Sequence, residues 1–112
     1  MTVAVLNAVL KPLIESRLPD WVDARWYATK QEAFDLAPQA EIGWFDFFRK
    51  DDMAQAIGAA GRMKWLNSVF AGVEAFPLGL LAQRGVVLTN GAGINAIPIA
   101  EYVVMLMLAY AK

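Results

Sequence analysis

Five times along this chain a short β-branched or aromatic run is followed by a stretch of helical spacing or helix-favouring composition, and no other feature constrains the fold as tightly. Residues 3–6, 25–28, 41–46, 65–69 and 86–89 read as strands; residues 8–17, 30–36, 51–60, 76–84 and 98–111 read as helices. Parallel neighbours can be joined only by crossovers, and right-handed crossovers lay helices over the sheet. The alternation therefore predicts an α/β fold, a five-stranded parallel sheet covered on both faces, three layers in all. Leu18-Pro19-Asp20 and Ala37-Pro38-Gln39 mark turns, while Gly61 and Gly85 stand where helix C-terminal glycines stand.

The 112 residues leave room for one domain, and a 58% hydrophobic content with four Trp and six Phe fills one core. Ten basic and eleven acidic residues give a formal charge of −1, and no stretch concentrates Lys or Arg as a phosphate-tracking surface must, so no nucleic-acid partner is expected. Without Cys there is no disulfide framework, thiol nucleophile or thiolate ligand. Without His a metal site would rest on carboxylates alone, and no metal is expected. Met1-Thr2-Val3-Ala4-Val5-Leu6 has no basic residue ahead of it and reaches Lys11 too soon for a signal peptide. The apolar run 102–111 is about half of the roughly 20 residues a spanning helix requires. The expectation is a cytoplasmic protein without a membrane segment.

Sheets of this class bind ligands outside the carboxyl ends of their strands. The first strand ends at Leu6-Asn7-Ala8-Val9, lacking the Ser, Thr and Gly that a flavin-phosphate site would use. The third ends at Phe45-Asp46. A phosphoacceptor Asp there would need an acidic pair after strand one and a Lys after strand five, where Leu6-Asn7 and Thr89-Asn90 stand, so Asp46 reads as a turn or cap residue. Phe45, Phe47 and Phe48 read as core, and Arg49 and Lys50 either pair with a second acidic group on a ligand or are simply solvated. After strand four, Ala71 and Gly72 either let a ligand reach main-chain N–H groups or form a small-residue turn before a helix. Gly91-x-Gly93-x-x-Ala96 matches a dinucleotide fingerprint in form. Nevertheless, the further strand and acidic residue that a genuine one requires do not follow it. Asn95 fits the N-cap of the last helix, with Pro98 in its first turn.

A resemblance runs through this second half. Lys64-Trp65-Leu66-Asn67-Ser68-Val69-Phe70-Ala71-Gly72-Val73-Glu74, then Arg84-Gly85-Val86-Val87-Leu88-Thr89-Asn90, then Gly93-Ile94-Asn95-Ala96-Ile97-Pro98-Ile99-Ala100-Glu101-Tyr102 closely resemble the D-isomer-specific 2-hydroxyacid dehydrogenases, in the half that holds the substrate. Its specific part is 68–101; the first sixty residues fit in pattern only. The resemblance implies a flavodoxin-like substrate-binding domain over 1–97 and an interdomain crossover helix over 98–112, with the nucleotide-binding domain absent. It implies an oxidoreductase that interconverts 2-hydroxy and 2-oxo acids by hydride transfer with NAD or NADP. Phe70, Ala71 and Gly72 would grip the substrate carboxylate through main-chain amides, Asn95 would lie beside the carboxylate or nicotinamide, and Ala71 and Ile99 would face the cofactor. Phe70 replaces a frequent Gly of the family and Glu74 a usual Asp, the first narrowing the site or shifting substrate preference and the second affecting only local loop bonding. The resemblance also implies that the cluster of Phe45, Phe47 and Phe48 borders the substrate side chain.

In that family an Arg polarises the carbonyl while a His, assisted by a Glu, moves the proton. None of the three is assignable here, so no catalytic residue is expected in the chain, and residues 1–112 alone are expected to be inactive and to bind no cofactor. The alternative is a free-standing, non-catalytic flavodoxin-like module that binds a small carboxylate or a partner protein. The terminal helix is long and apolar on all sides, with Glu101 and Lys112 its only charges, which predicts a homo-oligomer.

Overall fold

The computed structural model describes residues 1–47, 49–70, 72, 76–91 and 96–111, the side chain of Ala96 excepted. Strands β1 (Thr2–Asn7), β2 (Val22–Tyr27), β3 (Ile42–Gly43), β4 (Trp65–Asn67) and β5 (Val87–Thr89) form one parallel sheet in the order β2-β1-β3-β4-β5. This is the flavodoxin-like order, with its topological switch point between β1 and β3. Helices α1 (Lys11–Ile14), α2 (Lys30–Leu36), α3 (Lys50–Ala59) and α4 (Leu78–Arg84) alternate with the strands, and α5 (Ala96–Ala111) ends the chain.

The step from β1 to β2 runs opposite to the later steps, so right-handed crossovers set α1 on one face and α2, α3 and α4 on the other. The second face holds the core: Val5 and Leu66 from the sheet meet Tyr27, Phe45, Met53, Ile57 and Leu81. On the α1 face, Leu6, Ile42, Trp44 and Trp65 meet Ile14 and Leu18 around an apolar groove of about 310 Å³. That face is incompletely covered, leaving Trp65 42% and Val87 61% exposed.

Local chemistry explains the boundaries. β2 begins three residues earlier than predicted because every residue of β1 finds a partner, from Thr2 opposite Val22 to Asn7 opposite Tyr27. It stops before Ala28, whose N–H is taken by the Glu32 carboxylate while Thr29 caps α2 through its hydroxyl. β3 is cut to two residues, although the Trp44 N–H still reaches the Val5 carbonyl at 3.2 Å. Gly43 is required there, since a Cβ would stand 2.6 Å from both Met63 Sδ and Phe45 Cε2. The helix predicted over 8–17 is a short α1 between two 3-10 turns.

Gly85 ends α4 in a Schellman arrangement: φ is 68°, its N–H meets the Ala82 carbonyl, and the Val86 N–H meets that of Leu81. Gly61 does not play that part. α3 stops at Ala59 and Gly85 alone has a positive φ among the described residues. The described side chains of α5 lie open, with Tyr102, Met105, Leu108 and Tyr110 all more than half exposed. No helix among the described residues is long and apolar enough to cross a membrane.

Candidate functional site

The parallel ladder brings the ends of β1, β3 and β4 side by side. Asn7, Leu10, Tyr27, Trp44, Asp46 and Val69 line a cleft of about 150 Å³ at the switch point. Asp46 is its organising group. One carboxylate oxygen accepts the Ser68 hydroxyl at 2.6 Å; the other accepts the Trp44 indole N–H at 2.8 Å and the Val69 N–H at 2.8 Å. The buried Ser68 oxygen in turn accepts the Phe70 N–H at 3.0 Å. Asp46 is thus no simple turn residue, because its charge-assisted bonds pin the start of the loop after β4 to the end of β3.

The far side of that loop is held as well. The Ser68 N–H donates to the Thr89 carbonyl at 3.0 Å and the Gly91 N–H to the Phe70 carbonyl at 3.0 Å, so the loop is tied to β5. The Trp65 indole N–H donates to the Thr89 hydroxyl at 2.9 Å, which in turn donates to the Asn67 amide oxygen at 2.7 Å. Beneath the cleft, the Tyr27 hydroxyl donates to the Trp44 carbonyl at 2.6 Å. Burial, and secondarily the Asp46 carboxylate, push the Tyr27 phenol well above its ordinary value.

Of the residues expected to bind substrate, Phe70 and Gly72 are described, and they are not equivalent. The Phe70 N–H already serves Ser68. Gly72 is exposed, and nothing among the described residues accepts from its N–H. Ala71 and Asn95 lie outside the described residues, as do Phe48, Glu74 and the middle of the Gly91–Ala96 sequence. Ile99 is exposed on α5. Phe45 and Phe47 pack around Tyr27, with ring centroids 6.0 and 5.8 Å away, as core. Arg49 and Lys50 do not line the cleft. Asn7, Trp44 and Asp46 gain their place from the β1–β3 adjacency, which the sequence pattern does not encode. Among the described residues no group of three or more carboxylates gathers to hold a metal.

No model of a known protein family matches the chain. Over 59 residues, 53% of its length, it is 37% identical to a D-3-phosphoglycerate dehydrogenase of Archaeoglobus fulgidus. The NAD-dependent formate dehydrogenase of Staphylococcus aureus, solved with NAD, superposes over 96% of the chain with a TM-score of 0.64 at 14% identity. The phosphoglycerate dehydrogenase of Lactobacillus plantarum superposes over 97% with a TM-score of 0.53 at 22% identity. The chain spans 11% of the Archaeoglobus protein's length, and the two superpositions cover 38% and 35% of the solved chains. Over those 59 residues the chain is similar in sequence to a D-3-phosphoglycerate dehydrogenase, and over nearly its whole length it shares the fold of the two solved dehydrogenase chains.

Proposed function

We propose that this chain is the substrate-binding part of an NAD(P)-dependent oxidoreductase that interconverts 2-hydroxy and 2-oxo acids, with residues 1–97 as the substrate domain and 98–112 as a crossover helix. Two observations support the reading: residues 68–70 are held at the carboxyl end of the sheet by Asp46, Ser68 and β5, and the exposed Gly72 has an N–H that donates to nothing among the described residues. An available main-chain amide next to an anchored segment holds a carboxylate without burying a further cation. Ala71 and Asn95 complete the proposed contacts, and Ile99 with Ala71 would face the nicotinamide.

The cleft residues do not fit a dinucleotide. About 150 Å³ is far below the 300–1,000 Å³ of ordinary ligand pockets, and the Asp46 carboxylate would oppose a pyrophosphate. The cofactor is therefore assigned to a nucleotide-binding domain outside this chain. With no His in the sequence, proton transfer is assigned there too. What these residues do is bind the acid and orient it.

The test has two arms. Calorimetry of residues 1–112 with NADH is expected to give no micromolar binding; a micromolar affinity would overturn the domain assignment. The reading frame beyond Lys112 is expected to encode Gly-x-Gly-x-x-Gly and later a Glu and a His. A frame lacking them would favour a non-catalytic carboxylate-binding module.

A further inference from the structure

We infer that the cleft at the switch point selects a short monocarboxylate bearing an uncharged hydroxyl and turns away acids that carry a second negative charge, with Asp46 and Asn7 as the specificity-determining pair. The inference rests on the proposed carboxylate loop and adds to it the identity of the group at the other end of the substrate.

The lining decides the chemistry. Among the described residues its only formal charge is Asp46, and its side-chain polar groups besides are the Asn7 amide, the Trp44 indole N–H spent on Asp46 and a Tyr27 hydroxyl spent on the Trp44 carbonyl. Among the described residues no Lys or Arg lines it. Lys11 is occupied with Glu15 and lies over the Trp26 ring, and Lys30 pairs with Asp52. A phosphate or second carboxylate placed here would meet a carboxylate at close range with no cation to offset it, and like charges within a few ångströms disfavour binding by on the order of tenfold or more.

A hydroxyl fits the same groups. An ionised carboxylate offers about four acceptor sites, and Asp46 uses three, on Ser68, Trp44 and Val69. Asn7 is held in one orientation because its Oδ1 accepts the Val9 N–H at 2.9 Å, which leaves the Nδ2 donors without an acceptor among the described residues. The cleft thus presents one remaining acceptor and a free donor, the pattern that a hydroxyl satisfies by donating to Asp46 and accepting from Asn7. Size agrees: about 150 Å³ is the share of roughly five water molecules at ~30 Å³ each, room for the end of a three-carbon acid. The Archaeoglobus relative is named for a phosphorylated acid; among the described residues this cleft has no cation that would hold the phosphate.

The test is an amide-resolved NMR titration of the ¹⁵N-labelled chain with glycerate, tartronate and 3-phosphoglycerate, the first two being three-carbon 2-hydroxy acids that differ in whether the far end is a hydroxymethyl or a carboxylate. Glycerate is expected to move the Val69, Phe70 and Gly72 amides and the Trp44 indole, and the two doubly anionic acids to bind on the order of tenfold more weakly at those signals. Asp46→Asn should narrow that gap, and Asn7→Ala should weaken glycerate selectively; the wild-type comparison stands even if a variant fails to fold. Tartronate or 3-phosphoglycerate binding as tightly as glycerate would overturn the selectivity while leaving the carboxylate loop intact. No response of those signals to any of the three acids would instead remove the loop reading on which the selectivity rests.

Discussion

Asp46 and Ser68, 22 positions apart in the sequence, meet at 2.6 Å where β3 and β4 end side by side. The bond couples two loops that could otherwise move separately. Because Ser68 also accepts the Phe70 N–H, a single buried hydroxyl links a carboxylate to the loop that is proposed to hold the substrate.

Ser68→Ala should therefore destabilise the chain by about 1–3 kcal/mol, the range for leaving buried hydrogen-bonding groups unpaired. Chemical denaturation measures the loss, and hydrogen exchange locates it: the Phe70 amide should lose protection while amides of β1 keep theirs. Unaltered Phe70 exchange would mean that the Ser68 link does not order the loop.

Tyr27 gives the chain an alkaline limit. Its phenol is held above the ordinary value near 10 by burial first and Asp46 second, so the unfolded chain ionises before the folded one. Above about pH 10 the unfolded state binds fewer protons than the native state, and stability falls as pH rises. Tyr27→Phe should flatten that decline, apart from a constant loss of about 0.5–1.5 kcal/mol for the bond to the Trp44 carbonyl. Melting temperatures from pH 8 to 11 check it, and equal alkaline slopes in the two proteins would contradict it.

Gly43→Ala should cost about 1–3 kcal/mol by overpacking, since the added methyl meets Phe45 and Met63 at 2.6 Å within the buried face. For a domain of this size that is a drop of roughly 4–8 °C in Tm per kcal/mol. An unchanged Tm would show that Met63 simply swings aside.

The alternation of strand and helix made the parallel sheet legible, because period and crossover length are local properties of the sequence. Gly85 was legible for the same reason: a left-handed residue after a helix calls for glycine. Asp46 was not. Its three donors come from Trp44 nearby and from Ser68 and Val69 across the sheet, so its role exists only once β3 and β4 are paired. Asn7 gains its place at the cleft only because β3, rather than β2 alone, lies beside β1. Gly61 misled for the opposite reason: a glycine near a helix end is a local signal, but the turn after Ala59 closes without a left-handed residue.

Two apolar surfaces are left open: the α1 face of the sheet around Trp65 and Val87, and α5 from Tyr102 to Tyr110. Each large side chain that becomes covered contributes about 1.5–3 kcal/mol. The isolated chain is accordingly expected to form dimers or larger species, checked by light scattering across a concentration series. Met105→Glu with Leu108→Lys should shift the distribution towards monomer. A clean monomer at high concentration in the unaltered chain would count against it.

The most direct test of the central claim is the effect of Gly72→Val on NADH oxidation by the polypeptide that joins this chain to a nucleotide-binding domain. Blocking main-chain approach should remove at least one carboxylate hydrogen bond, about 1.5–3 kcal/mol, and so lower kcat/KM roughly tenfold or more for 2-oxo acids. Unchanged efficiency on every 2-oxo acid tested would show that the loop after β4 is only a turn.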